Sequence, residues 1–146
     1  MDTSMLTKEK DAERKRKKRI EWKVSGLCVK CGKIPTRGRH CQRCYENDEK
    51  RHKRAEIRRR AKVIEHYNNK CACVKCPETK IQFLTIDHIN NDGKQHRKEI
   101  GISRGGDQFY KWIIKNNFPK FLQLLCWNCN LGKEHNNGVC PHEITG

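Results

Sequence analysis

Eight of the ten cysteines in this chain fall in four Cys-x-x-Cys pairs: Cys28 and Cys31, Cys41 and Cys44, Cys73 and Cys76, Cys126 and Cys129. Two residues between cysteines let one tight knuckle turn both thiolates toward a single tetrahedral ion, which is the spacing of structural zinc rather than of a disulfide framework. This constrains the fold because only 34% of the 146 residues are hydrophobic, too few for a large core. Metal must supply part of what apolar burial does not. Cys28, Cys31, Cys41 and Cys44, with nine residues between the pairs, read as one local zinc site. Cys73, Cys76, Cys126 and Cys129 read as a second, giving two structural zinc ions in all. Cys71 and Cys140 are left over. Cys71 competes with Cys73 for the second ion, since it too precedes Cys76, and Cys140 reads as a free or packing thiol.

Thiolate-bound zinc belongs to a reducing compartment, and the charged N-terminus MDTSMLTKEKDAERKRKKR lacks the apolar stretch of a signal peptide. No run of about 18 apolar residues suggests a membrane span. The expectation is an intracellular, cytoplasmic protein with no membrane partner. Charge is distributed unevenly, with 23 Lys and Arg against 10 Asp and Glu in residues 1–70 and 10 against 7 in the remainder. So basic a first half is the electrostatic footprint of a polyanion, most simply nucleic acid, although the run KRKKR also fits a solvated tail or a localisation signal.

Four segments follow from the patterning. Residues 1–25 form a basic N-terminal helix or tail, whose only apolar members from Lys8 to Trp22 are Ala12, Ile20 and Trp22. Residues 26–46 form a zinc-knuckle module punctuated by Gly32, Pro35 and Gly38. Residues 47–68 form a basic linker helix with a narrow apolar stripe of Ile57, Ala61 and Ile64, its other faces offering Arg54, Arg58 and Arg59 to phosphates. In residues 69–146, IQFLTIDHI predicts a strand ending at Asp87 and His88, and NNDGKQHRKEIGISRGGDQ predicts a loop. FYKWIIKNNFP predicts a short helix closed by Asn116 and Asn117, FLQLLCWNC a second strand, and CNLGKEH a final helix. The fold class is therefore α+β.

The segments CVKC, LTIDHIN and FLQLLCWNCNLGK occur in an order that resembles the HNH nucleases of phages and bacteria, a branch of the ββα-metal (His-Me finger) superfamily. The resemblance is strongest from Cys71 to Pro141. Gly26 to Arg60 is more loosely similar to the cysteine-rich, basic segments that precede phage HNH domains. The resemblance implies a small zinc-stapled ββα-metal nuclease domain that hydrolyses phosphodiester bonds in DNA, double-stranded DNA being the expected substrate. It places His88 as the general base, and Asp87 and Asn130 as ligands of a catalytic divalent ion. Hard oxygen donors favour magnesium or manganese for that ion, and Glu134, four residues beyond Asn130, would share its helical face as a further ligand. The chain departs from the pattern at Phe121, where many relatives carry an asparagine that fixes the loop holding the base.

Three further readings stay open. His96 and Arg97 reach phosphate or belong to a solvated loop, and with Arg104 they are what a nuclease core would grip DNA with unaided. A catalytically silent zinc-dependent DNA-binding or regulatory protein would share every cysteine and the basic half without needing Asp87, His88 and Asn130 together. An RNA-directed nuclease or RNA-binding protein is the third. Homodimerisation is compatible with all of them.

Overall fold

The computed structural model describes residues 3–103 and 105–144, and the chain divides into two compact units, Met1–Arg54 and Ala55–Gly146. Its elements run α1 (Thr3–Val24), α2 (Gln42–His66), β1 (Leu84–His88), α3 (Gly93–Glu99), α4 (Asp107–Lys115), β2 (Leu122–Cys126), α5 (Trp127–His135) and α6 (Pro141–Ile144). The class is α+β. Among the described residues, no helix is long and apolar enough to cross a membrane.

In the first unit, the described side chains of α1 are almost all exposed. Ala12 and Ile20 are exposed, and Trp22 is half-buried. Ion pairs Asp11–Arg14 and Glu13–Lys17 lie along its exposed surface, where such pairs contribute little. The helix stops because Gly26 adopts a left-handed φ of +68° while Gly26 N–H donates to Lys23 O and Leu27 N–H to Trp22 O. That pair of bonds caps two otherwise orphaned carbonyls and turns the chain into the first cysteine knuckle. Gly32, at φ +70°, lies against Trp22, and a β-carbon there would sit 2.8 Å from the indole. The tryptophan thus packs on the knuckle through a position only glycine suits. Lys30 pairs with Asp48 on α2, and Arg37 lies 4.7 Å over the Tyr45 ring.

In the second unit, β1 and β2 pair antiparallel with Leu84 opposite Cys126 and His88 opposite Leu122. The expected strand over IQFLTIDHI is therefore confined to its second half, because Phe83 N–H closes a turn on Lys80 O just before it. Helices α3 and α4 are inserted between the strands, and α5 follows β2 without a linker. The segment expected to be a loop holds α3, since Lys94–Glu99 contains good helix formers and no β-branched residue, and Gly101 at φ +68° ends it. Asn116 and Asn117 close α4 as the sequence suggests, with Asn117 at φ +52°.

The basic helix expected over 47–68 is most of α2, and its second half belongs to this unit. The apolar stripe differs from expectation: Ile57 is exposed, whereas Val63 and Ile64 are fully buried. Neighbours on a helix point about 100° apart, so these two enter different clusters. Val63 joins Phe109, Ile113 and Leu122. Ile64 joins a cluster in which six of ten buried residues are cysteines, the others being Leu84, Leu124 and Leu125. Tyr67, Ile81 and Ile86 pack against it, and the crowded sulfurs are compatible with a bound structural metal. Arg59 clasps Asp107 through two bonds of 2.5 and 2.8 Å, and Arg60 donates to Ile81 O and Leu84 O, fastening α2 to α4 and to the start of β1.

Candidate functional site

Asp87 and His88 are the last two residues of β1, where Asn91 N–H closes a turn on His88 O and the chain leaves the sheet for α3. Asn130 and Glu134 lie four residues apart on α5 and so share a face. The structure brings all four together: Asp87, His88, Asn130 and Glu134 line one cleft of about 350 Å³, with Gly93, Lys94 and Arg97 of α3 along its other side. Both Asp87 and His88 are buried.

Each of these groups is held by a partner that patterning did not reveal. Lys133, itself buried, donates from Nζ to Asp87 Oδ2 at 2.7 Å, to His88 O at 2.6 Å and to Ile89 O at 3.0 Å. All three ammonium protons are thereby used. Gln123, opposite Asp87 in the strand register, adds a bond to the same oxygen at 2.8 Å. The signal for Lys133 was its place between Asn130 and Glu134 on α5, but lysine is so commonly solvated that spacing alone does not pick it out.

His88 Nε2 and His96 Nδ1 share a hydrogen bond of 2.8 Å. His96 is in turn enclosed by Trp112 at 4.6 Å and Phe121 at 5.1 Å, both edge to face, and His88 stacks between Phe109 and Phe121 at 5.7 and 6.0 Å. Phe121 thus encloses both imidazoles by ring contact, and its backbone carbonyl accepts from Ile89 N–H, the residue after His88. Burial, reinforced by the proximity of His96, holds the His88 imidazole below its ordinary value, so it is neutral at pH 7. Gly93 lies against its Nδ1, where a β-carbon would stand 2.8 Å away.

The residues expected to bind nucleic acid separate into two groups. Arg54 and Arg58 are exposed, and Arg97 lines the cleft. Arg59 is committed to Asp107, which its guanidinium holds below the usual carboxylate range, and His96 is committed to His88. Arg104 lies outside the described residues.

Three sets of ligand atoms lie close enough to hold a metal, each within 4.8 Å: Cys28, Cys31, Cys41 and Cys44; Cys71, Cys76, Cys126 and Cys129; and Cys73, Cys129, Cys140 and His142. The first is the set that the pair spacing predicts, and it is compatible with structural zinc. The second corrects the expected one, since Cys71 and not Cys73 completes it. Hydrogen bonds from Cys71 N–H to Glu78 O and from Ala72 N–H to Leu124 O lay this segment beside β2, and Cys126 N–H donates to Cys71 Sγ at 3.3 Å. Cys73 opens the next turn, accepting at its carbonyl from Cys76 N–H, and its sulfur faces Cys140. Burial pushes the Cys71 thiol up to about 11, and burial with four neighbouring sulfurs pushes Cys129 far above the ordinary thiol range. Thiols crowded in this way ionise only if a cation accompanies them. None of the protein-family models, curated proteins or solved structures compared with this chain matches it.

Proposed function

We propose that the second unit is a divalent-metal-dependent endonuclease of the HNH type, hydrolysing phosphodiester bonds in DNA. One observation carries this reading: an aspartate and a histidine from the end of a strand and an asparagine and a glutamate from the helix after its partner strand line one cleft edged by basic side chains. Phosphodiester hydrolysis needs a base for the attacking water and positive charge on the scissile phosphate. Neutral His88 supplies the first. Its Nε2 faces His96, so the proton-accepting atom is Nδ1, on the side of Gly93, where any side chain would crowd the ring. For this tautomer Nε2–H donates to His96 Nδ1. The donor set fits a hard divalent ion, magnesium or manganese, held by Asp87, Asn130 and Glu134, with the Lys133 and Gln123 bonds both on Oδ2 of Asp87 and Oδ1 left to the cation. Such an ion, when bound, supplies charge stabilisation at the phosphate. Lys94 and Arg97 orient the backbone of the nucleic acid beside it.

The catalytically silent DNA-binding reading also has an observation in its favour. Lys133 already pairs with Asp87, which gives the carboxylate a structural use that needs no metal. Plasmid cleavage with magnesium, and EDTA as control, separates the two. His88→Ala should lose cleavage by roughly a hundredfold or more, the usual contribution of a general base, with DNA affinity and zinc content unchanged. Absent cleavage by the native chain would leave the silent reading standing, and cleavage that survives EDTA would overturn both.

A further inference from the structure

The second unit gathers six cysteines and His142 into one cluster of seven ligating side chains, three more than one tetrahedral ion takes. Cys71, Cys76, Cys126 and Cys129 make one set of four; Cys73, Cys140 and His142 make a second set with Cys129, which belongs to both. We propose that this unit holds two zinc ions in one cluster, with Cys129 Sγ bridging them.

The interatomic distances are those of coordination edges. With Zn–S near 2.3 Å and Zn–N near 2.0 Å, tetrahedral angles separate two sulfurs by about 3.8 Å and sulfur from nitrogen by about 3.5 Å. In the second set, Cys73 and Cys140 sulfurs are 3.4 Å apart, and His142 Nδ1 lies 3.4 Å from Cys129 Sγ and 3.8 Å from each of the Cys73 and Cys140 sulfurs. The first set repeats the edge, with Cys76 and Cys126 sulfurs 3.7 Å apart. A disulfide would bring Cys73 and Cys140 to about 2.05 Å. Charge favours the shared cluster as well. Four thiolates around one ion leave a net charge of −2, and a second ion that ionises Cys73 and Cys140 and takes a neutral imidazole leaves the total unchanged. Sharing a ligand therefore converts two buried thiols, 1% and 3% exposed, into bound thiolates with no added buried charge. Each of them gives up its proton to solvent on binding.

The cluster also explains α6. This four-residue helix, Pro141–Ile144, carries His142 and packs on α5, with the Pro141 ring against Gly132, where a β-carbon would stand 2.8 Å away. The second ion would tie the C-terminal segment to the segment before β1 through Cys73.

The test is metal stoichiometry on the full chain, reduced and metal-replete, by native mass spectrometry. It reads the cluster independently of any nuclease activity. Three zinc ions per chain are expected, and two in a Cys140→Ala, His142→Ala double variant. Reconstitution with cadmium-113 should give two resonances split by coupling through the shared sulfur and one unsplit resonance from the Cys28 set, a readout on the native chain that does not depend on the variant folding. Two ions in the native chain, a Cys73–Cys140 disulfide (two hydrogen atoms lost by oxidation, read on the metal-free denatured protein as isolated), or three ions without splitting would each overturn the proposal.

Discussion

At the scale of single residues, the candidate site is governed by what holds its buried polar groups, Asp87, His88 and Lys133. Lys133 satisfies Asp87 and two backbone carbonyls at once, with side-chain exposures of 6% and 7% for the two partners. Removing one member of a buried pair strands the other, typically at about 3–5 kcal/mol. Lys133→Met should therefore lower stability to chemical denaturation by about that amount, and a loss under about 1 kcal/mol would mean that solvent or a bound cation replaces the ammonium. Gly93 gives the opposite kind of expectation. Alanine there improves helix propensity at the start of α3 but places a methyl 2.8 Å from His88 Nδ1, on a ring held by His96 and Phe109. Gly93→Ala should keep its melting temperature within a few degrees while losing most cleavage. Retained cleavage would show that the ring has freedom to yield.

At the scale of elements, α2 is the instructive case, because one basic helix serves two purposes that its charge pattern does not separate. Arg59 is two-thirds or more enclosed and bound in a fork to Asp107, whereas Arg54 and Arg58 stand exposed. Arg59→Ala should lower the unfolding midpoint only modestly, because the pair is partly solvated, with no specific loss of DNA affinity beyond that of one charge. Arg54→Ala with Arg58→Ala should instead leave the unfolding midpoint unchanged and weaken binding. Filter binding and thermal melts on the same proteins distinguish the outcomes, and a reversed pattern would mean that the Asp107 fork opens to accept phosphate.

At the scale of the molecule, the boundary between units falls within α2 after Arg54, not at its end. Val63 and Ile64 are fully buried in the second unit's clusters, and Tyr67 Oη donates to Pro119 O. A chain beginning at residue 69 would lose these contacts and the Arg60 bonds to Ile81 and Leu84, so it should fail to fold. One beginning at residue 55 should fold, bind its metal and retain cleavage at low salt. Its DNA affinity should vary less with salt, the slope of log K against log salt falling in magnitude by about 0.9 for each phosphate contact removed from duplex DNA. A full-length salt slope in the truncated chain would make the first unit a docking segment for something other than DNA.

The amino-acid sequence by itself determined the ligand chemistry, the α+β order of strand, insertion, strand and helix, and the adjacency of Asp87 and His88 at a strand end. These are local properties, written in Cys-x-x-Cys spacing, in the β-branched run before Asp87 and in the Asn116–Asn117 helix stop. Only the tertiary structure decided that Cys71 rather than Cys73 completes the Cys76, Cys126 and Cys129 set. It likewise decided that His96 holds His88, that Lys133 holds Asp87 and that Val63 is core while Ile57 is not. Each of these depends on which face of one segment meets another 8 to 60 positions away. Cysteines two apart, or arginines one apart, look alike in spacing and composition. Their roles part only when the strand pairing and the docking of α2 fix which side chain points inward.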